Sequence, residues 1–156
     1  MTNTADITVS KEVLDWTDFD VVGDDDIADG AAEAGGTITY SYTRAGSNYT
    51  ASIVVQHNAR VEGDTTQTSS LLRHEQGHLD LAILVARRMK FDIEHGMSPQ
   101  NAAARHITHR LPSANVRYDQ LTNHGLNAAV QSAWETALDQ ALLADSPPST
   151  VRTVSI

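Results

Sequence analysis

The sequence contains no cysteine. Disulfides are therefore excluded, and so is any zinc site built on thiolates; a metal ion here must be held by histidine and carboxylate side chains. Positive charge is also scarce, with 11 Lys and Arg against 20 Asp and Glu and a formal net charge of −9. That balance argues against nucleic acid or an anionic membrane surface as a partner. No apolar run has the length of a transmembrane helix, so membrane insertion is not expected. Met1 to Ser10 lacks a basic stretch followed by an apolar one, so no export signal is read there. Internal repeats are absent too. What remains is an ordinary globular composition, 40% apolar over 156 residues, read as one domain spanning residues 1–156.

Histidine, by contrast, is present seven times, and two of the seven fall in His74-Glu75-Gln76-Gly77-His78. Residues four apart share one face of a helix, so both imidazoles of an H-E-x-x-H word can reach a single metal ion. Glu75 lies one step round the same turn, where its carboxylate can serve as general base. With six Glu in the chain, composition alone predicts only about 0.01 chance occurrences of this word. The surroundings are helical as well. Ser69 and Ser70 are candidate N-caps and Gly96 a stop, while Leu71, His74, His78, Ala82, Val85 and Met89 recur at three-and-four spacing. The two histidines thus belong to the buried stripe, where they need partners.

Elsewhere the elements are simpler. Residues 1–36 read as polar and acidic, with Trp16 and Phe19 as an aromatic anchor. Asp24-Asp25-Asp26 lacks the ligand spacing of a calcium loop and reads as a solvated turn. Residues 37–43 alternate Ile38, Tyr40 and Tyr42 with polar residues, and 49–57 form a second run after turn residues, which predicts an antiparallel hairpin. Ser98-Pro99 opens a helix that Leu111-Pro112 should end. A last helix is predicted over Leu126 to Ala144, stopped by Pro147-Pro148. The fold class is α+β: a small antiparallel sheet packed on a zincin-like bundle of about three α-helices.

A catalytic zinc needs three protein ligands and an open position, so a third must be found. Leu81 and Leu84 stand where a metzincin would continue with Gly and His. Glu94 is roughly 24 Å along the same helix from His78, and His95 fails for the same reason. His106 and His109 alternate with basic residues and read as solvent-facing. His124 is the first candidate, because it precedes the last helix on a separate element and Gly125 beside it permits close backbone approach. Glu135 and His57 remain open.

The run from Leu71 to Asp80, with Ala86-Arg87-Arg88 after it, resembles a bacterial family of domains of unknown function described as predicted secreted zinc-dependent proteases. The similarity extends to Asp15-Trp16-Thr17-Asp18-Phe19, and to Tyr118-Asp119, Thr122, His124-Gly125, Gln131 and Trp134. The resemblance implies zinc held by His74, His78 and His124, Glu75 as base, a peptide or protein substrate, and a periplasmic or secreted location.

Taken together, these readings predict a zinc metallopeptidase. Tyr118 is the first guess for a group that stabilises the oxyanion, and the 49–57 strand for the edge that pairs with extended substrate. Two other functions stay open: a zinc-stabilised binding domain without catalysis, and a metal-dependent hydrolase of a different amide bond.

Overall fold

The computed structural model of the chain describes residues 2–27 and 31–144; Pro147-Pro148, expected to stop the last helix, lie outside them. The predicted hairpin is β3 (Ala32–Ala45) and β4 (Asn48–Glu62), joined at Gly46 with φ +63. Its antiparallel register runs from Ala45 opposite Asn48 back to Ala32 opposite Val61, so both arms exceed the expected bounds.

The sheet itself corrects the expectation of an antiparallel array. β1 (Thr4–Val9) and β2 (Asp20–Val22) pair parallel with β4, so two of its three pairings are parallel. Both strands come from the stretch read as polar and acidic. They precede the hairpin, whose β3 arm covers one flank of β4; they reach the other flank by longer connections, the kind that bring strands in parallel. A second correction follows. On the flank away from β3, β4 is covered by β1 over Thr50–Val55 and by β2 over Arg60–Glu62, whereas among the described residues β3 pairs with β4 alone.

Helix α1 (Ser69–Glu94) crosses this sheet, touching β1, β3 and β4 on one side and later helices on the other. Its N-cap is Thr68, whose hydroxyl accepts from the Leu71 amide at 3.1 Å, one residue before the two expected serines. Gly96, at φ +104, follows its C-terminus as expected. Covered on two sides, the helix buries every residue from His74 to Ala86 except Gln76. Leu79, Leu81, Leu84, Met89 and Ile93 anchor the core there, each worth about 1.5–3 kcal/mol of burial.

The second helical rod differs from expectation. Helix α2 (Pro99–Ala103) opens at Ser98, whose hydroxyl accepts from the Asn101 amide at 3.2 Å. It runs on through a π-helical segment (Ala104–Arg110) into α3 (Leu111–Thr122), rather than stopping at Leu111-Pro112. Proline has no amide proton to donate and its ring crowds the preceding turn. The wider π turn, in which the Leu111 amide donates to the His106 carbonyl, lets the helix absorb that defect. Helix α4 (Ala128–Leu143) is capped by Asn127 and buries Trp134 and Leu138 against α1 and α3. Among the described residues no helix is long and apolar enough to cross a membrane.

At the far end of α1, Asp92 ties that helix to the π segment. Its Oδ2 accepts from His106 Nε2 at 2.7 Å and from Arg105 at 3.3 Å, while Arg88 lies 3.6 Å from Oδ1. Burial lowers the His106 pKa below 6.5, opposed by Asp92 and supported by Arg110 and Arg105. Burial would raise the Asp92 carboxyl, but His106, Arg88 and Arg105 hold it below 3.8. The pair is therefore a carboxylate accepting from a neutral imidazole, whose Nδ1 is buried without a hydrogen-bond partner. The sign follows from linkage: a depressed folded pKa gives stability present above the unfolded value and lost as pH falls through the folded one. His106 should begin to lose stability as pH drops below 6.5, and Asp92 only below 3.8. His106→Gln keeps the donor without the titration. Urea denaturation of this variant should show a flatter loss of stability between neutrality and about pH 5 than wild type shows. Identical slopes would mean that the pair does not titrate in that window.

Candidate metal centre

The site is built where α1 meets α3. His74 and His78 stand one turn apart on α1, both buried, with ring centroids 5.1 Å apart and planes at 86°. Asp119 reaches between them from α3. Its Oδ1 lies 3.1 Å from His74 Nε2 and 2.8 Å from His78 Nε2. The three side chains present one nitrogen, one nitrogen and one oxygen within 4.8 Å of one another, a group that could hold a metal ion. Burial alone would raise the Asp119 carboxyl, but hydrogen bonds from the two imidazoles and their charge hold it well below the usual carboxylate range.

Behind the imidazoles lies a buried hydrogen-bonded network. Tyr118 is completely buried and stacks on His74, with centroids 4.8 Å apart and planes 11° from parallel. Its hydroxyl donates to the His74 carbonyl at 3.0 Å, which uses its single proton. It can then only accept from Gln131 Nε2, at 2.8 Å. That fixes the Gln131 amide: its Oε1 faces His74 Nδ1, 3.0 Å away, and must accept a proton from it. His74 therefore carries hydrogen on Nδ1, and its Nε2 is turned toward the Asp119 carboxylate. On the other ring, Asn115 Oδ1 accepts from His78 Nδ1 at 2.8 Å.

Two glycines make the fit possible. A Cβ at Gly77 would lie 2.2 Å from the Tyr118 hydroxyl, and one at Gly125 would lie 2.9 Å from the His74 side chain. Gly125 also has φ +83, following Asn123 and His124, which are both left-handed. The close approach expected at Gly125 is thus to a histidine ring. Gln76 faces away from the site; its side chain accepts from the Leu14 amide and donates to the Glu12 carbonyl and to Asp80. Asp80 consequently holds the Gln76 amide.

Glu75 points to the front. It lines a cleft of about 570 Å³ together with His74, His78, Asp119, His124 and the start of β3. Burial pushes its carboxyl up to about 8, against the charge of His74 and a hydrogen bond from the Ala34 amide. Its Oε2 has no hydrogen-bond partner.

Of the residues expected from sequence, His74, His78 and Glu75 come together in this cleft. His124 lies beside the group without joining it: its Nδ1 is 3.8 Å from Asp119 Oδ1 and its side chain is half exposed. Tyr118 is adjacent but sits behind the rings, its hydroxyl engaged on both sides. Glu135 lies behind His74 as well, accepting from Gln131 at 3.1 Å and lying 3.6 Å from Arg73. His57 is paired with Ser10, His106 with Asp92, and His95 with the Phe91 carbonyl. Sequence reasoning missed Asp119 because it ended the preceding helix at Pro112. The signal was present: Asn115, Tyr118, Asp119 and Thr122 recur at three-and-four spacing, the stripe of a helix face.

Comparison with protein-family models, curated proteins and solved structures found no match, so the resemblance noted above rests on its residues alone.

Proposed function

We propose that this chain is a zinc-dependent metallopeptidase, with the ion held by His74, His78 and Asp119 and with Glu75 as general base. The observation that carries the reading is the convergence of two imidazole nitrogens and one carboxylate oxygen in the cleft that Glu75 also lines. Two nitrogens and an oxygen suit zinc, and three protein ligands leave a coordination position for chemistry. Bound there, zinc would supply Lewis acidity, polarising a carbonyl and making water acidic near neutral pH.

The remaining work falls to the chain's own groups. Glu75 Oε2, without a partner, is free to accept a proton from the attacking water and return it to the leaving amine. The Ala34 amide bonded to Glu75 fixes the base against β3. Because among the described residues β3 pairs with β4 alone, its outer edge is the place for an extended peptide to add as a strand. Tyr118, walled in behind the rings, serves as a support for His74 in this scheme and leaves the oxyanion to other groups.

A purely structural zinc site has no use for a buried carboxyl with an unpartnered oxygen in the same cleft. The test is hydrolysis of an unstructured protein such as casein by the zinc-loaded chain. Cleavage abolished by a chelator and restored by zinc is the expected result. Stoichiometric zinc binding without cleavage of any peptide would point to the non-catalytic reading instead.

A further inference from the structure

We infer that Asn115 and Gln131 are positioning residues for the metal ligands, and that their neutral amides set how tightly the site holds its ion. The inference rests on the zinc centre proposed above. Each ligand imidazole has its Nδ1 bonded to an amide oxygen, His74 to Gln131 at 3.0 Å and His78 to Asn115 at 2.8 Å. Each Nδ1 proton is thereby committed, and each Nε2 is held facing Asp119 Oδ1. Outer partners of this kind fix the tautomer and the ring orientation, and with them the basicity of the ligand.

The Gln131 amide cannot turn over. Tyr118 and Glu135 both take hydrogen bonds from its Nε2, and Glu135 is itself within 3.6 Å of Arg73. A chain of contacts thus runs from the surface Arg73 through Glu135 and Gln131 to His74. Glu135 ends up as the anchor of the residue that aims a ligand. On the His78 side the device is simpler, because Asn115 stands one turn before Asp119 on α3. One helix face therefore supplies both a ligand and the group that orients another ligand.

An amide oxygen accepts a hydrogen bond without bringing charge. A carboxylate in its place makes the imidazole a stronger donor to metal. The two substitutions at Asn115 should consequently act in opposite directions. Asn115→Leu removes the acceptor and should weaken zinc binding about 10- to 100-fold. Asn115→Asp restores the acceptor with a charge and should bind zinc at least as tightly as wild type. Gln131→Leu should match Asn115→Leu. A merely structural role would weaken all three variants together.

The experiment is zinc affinity by chelator competition for wild type, Asn115→Leu, Asn115→Asp and Gln131→Leu. It is paired with nitrogen-15 NMR of the histidine rings in the chelator-treated proteins. The expected result is the opposite-sign pair at Asn115, with Nδ1–H signals for His74 and His78 that disappear in the matching leucine variants. Affinities of both leucine variants within twofold of wild type would overturn the inference, as would an Asn115→Asp protein as weak as Asn115→Leu. A wild type that takes up no zinc would defeat the zinc reading. The NMR then decides the positioning role by itself: Nδ1–H signals lost on substitution support it, and wild-type rings without them overturn it.

Discussion

Asp119→Ala will bind zinc at least about a hundredfold more weakly than wild type, whereas His124→Ala will stay within a few-fold. Zinc binding to a complete four-ligand protein site is worth about 10–16 kcal/mol, so one ligand accounts for roughly 3 kcal/mol, or two orders of magnitude. Asp119 is the residue whose oxygen lies 3.1 and 2.8 Å from the two ring nitrogens. His124, half exposed and 3.8 Å from that oxygen, touches the group from outside. The two variants therefore separate the ligand set proposed from the fold from the one expected from the sequence. Chelator competition or elemental mass spectrometry reads the difference directly. The reverse ranking, with His124→Ala losing the ion and Asp119→Ala keeping it, would restore His124 as third ligand.

Glu75→Gln will keep its zinc and lose hydrolysis. Glutamine has nearly the same shape and can still accept from the Ala34 amide, but it has no carboxylate to receive a proton. General acid–base catalysis contributes about 10²–10⁴ in rate, so peptide turnover should fall by that order while zinc affinity changes little. The substitution also replaces a buried carboxyl with a neutral group, which spares the fold the cost of a charge there. Thermal unfolding should accordingly show a protein at least as stable as wild type above neutral pH. Undiminished hydrolysis by Glu75→Gln would remove Glu75 from the mechanism.

The parts of this protein written in local pattern were legible before the fold was seen. The α1 stripe, the Gly96 stop, the hairpin turn and the last helix each follow from spacing and from turn or cap chemistry within a short window. The pieces that were not legible depend on distant partners. β1 and β2 are strands because β4 offers them a flank, and their own residues are too few and too polar to declare it. Pro112 is ordinarily a helix stop; here one wide turn carries the helix past it, and that turn alone decides whether Asp119 faces the histidines. The same helix carries Tyr118, the first guess for an oxyanion group, behind the rings as a buried prop. His74, His78 and Glu75 were found because one helix carries all three. The carboxylate that joins them, Asp119, comes from another helix, and no local word announces that kind of meeting.

The missing side chain at Gly77 acts as a ruler. Its place is filled by the Tyr118 hydroxyl, which sets the separation of α1 and α3, and with it the distance from Asp119 to both rings. The gathering of His74, His78 and Asp119 is therefore a product of core packing. The conformational entropy of gathering these three side chains is lost when the chain folds. An ion bound on the proposed reading would then enter and leave without the body of the protein refolding.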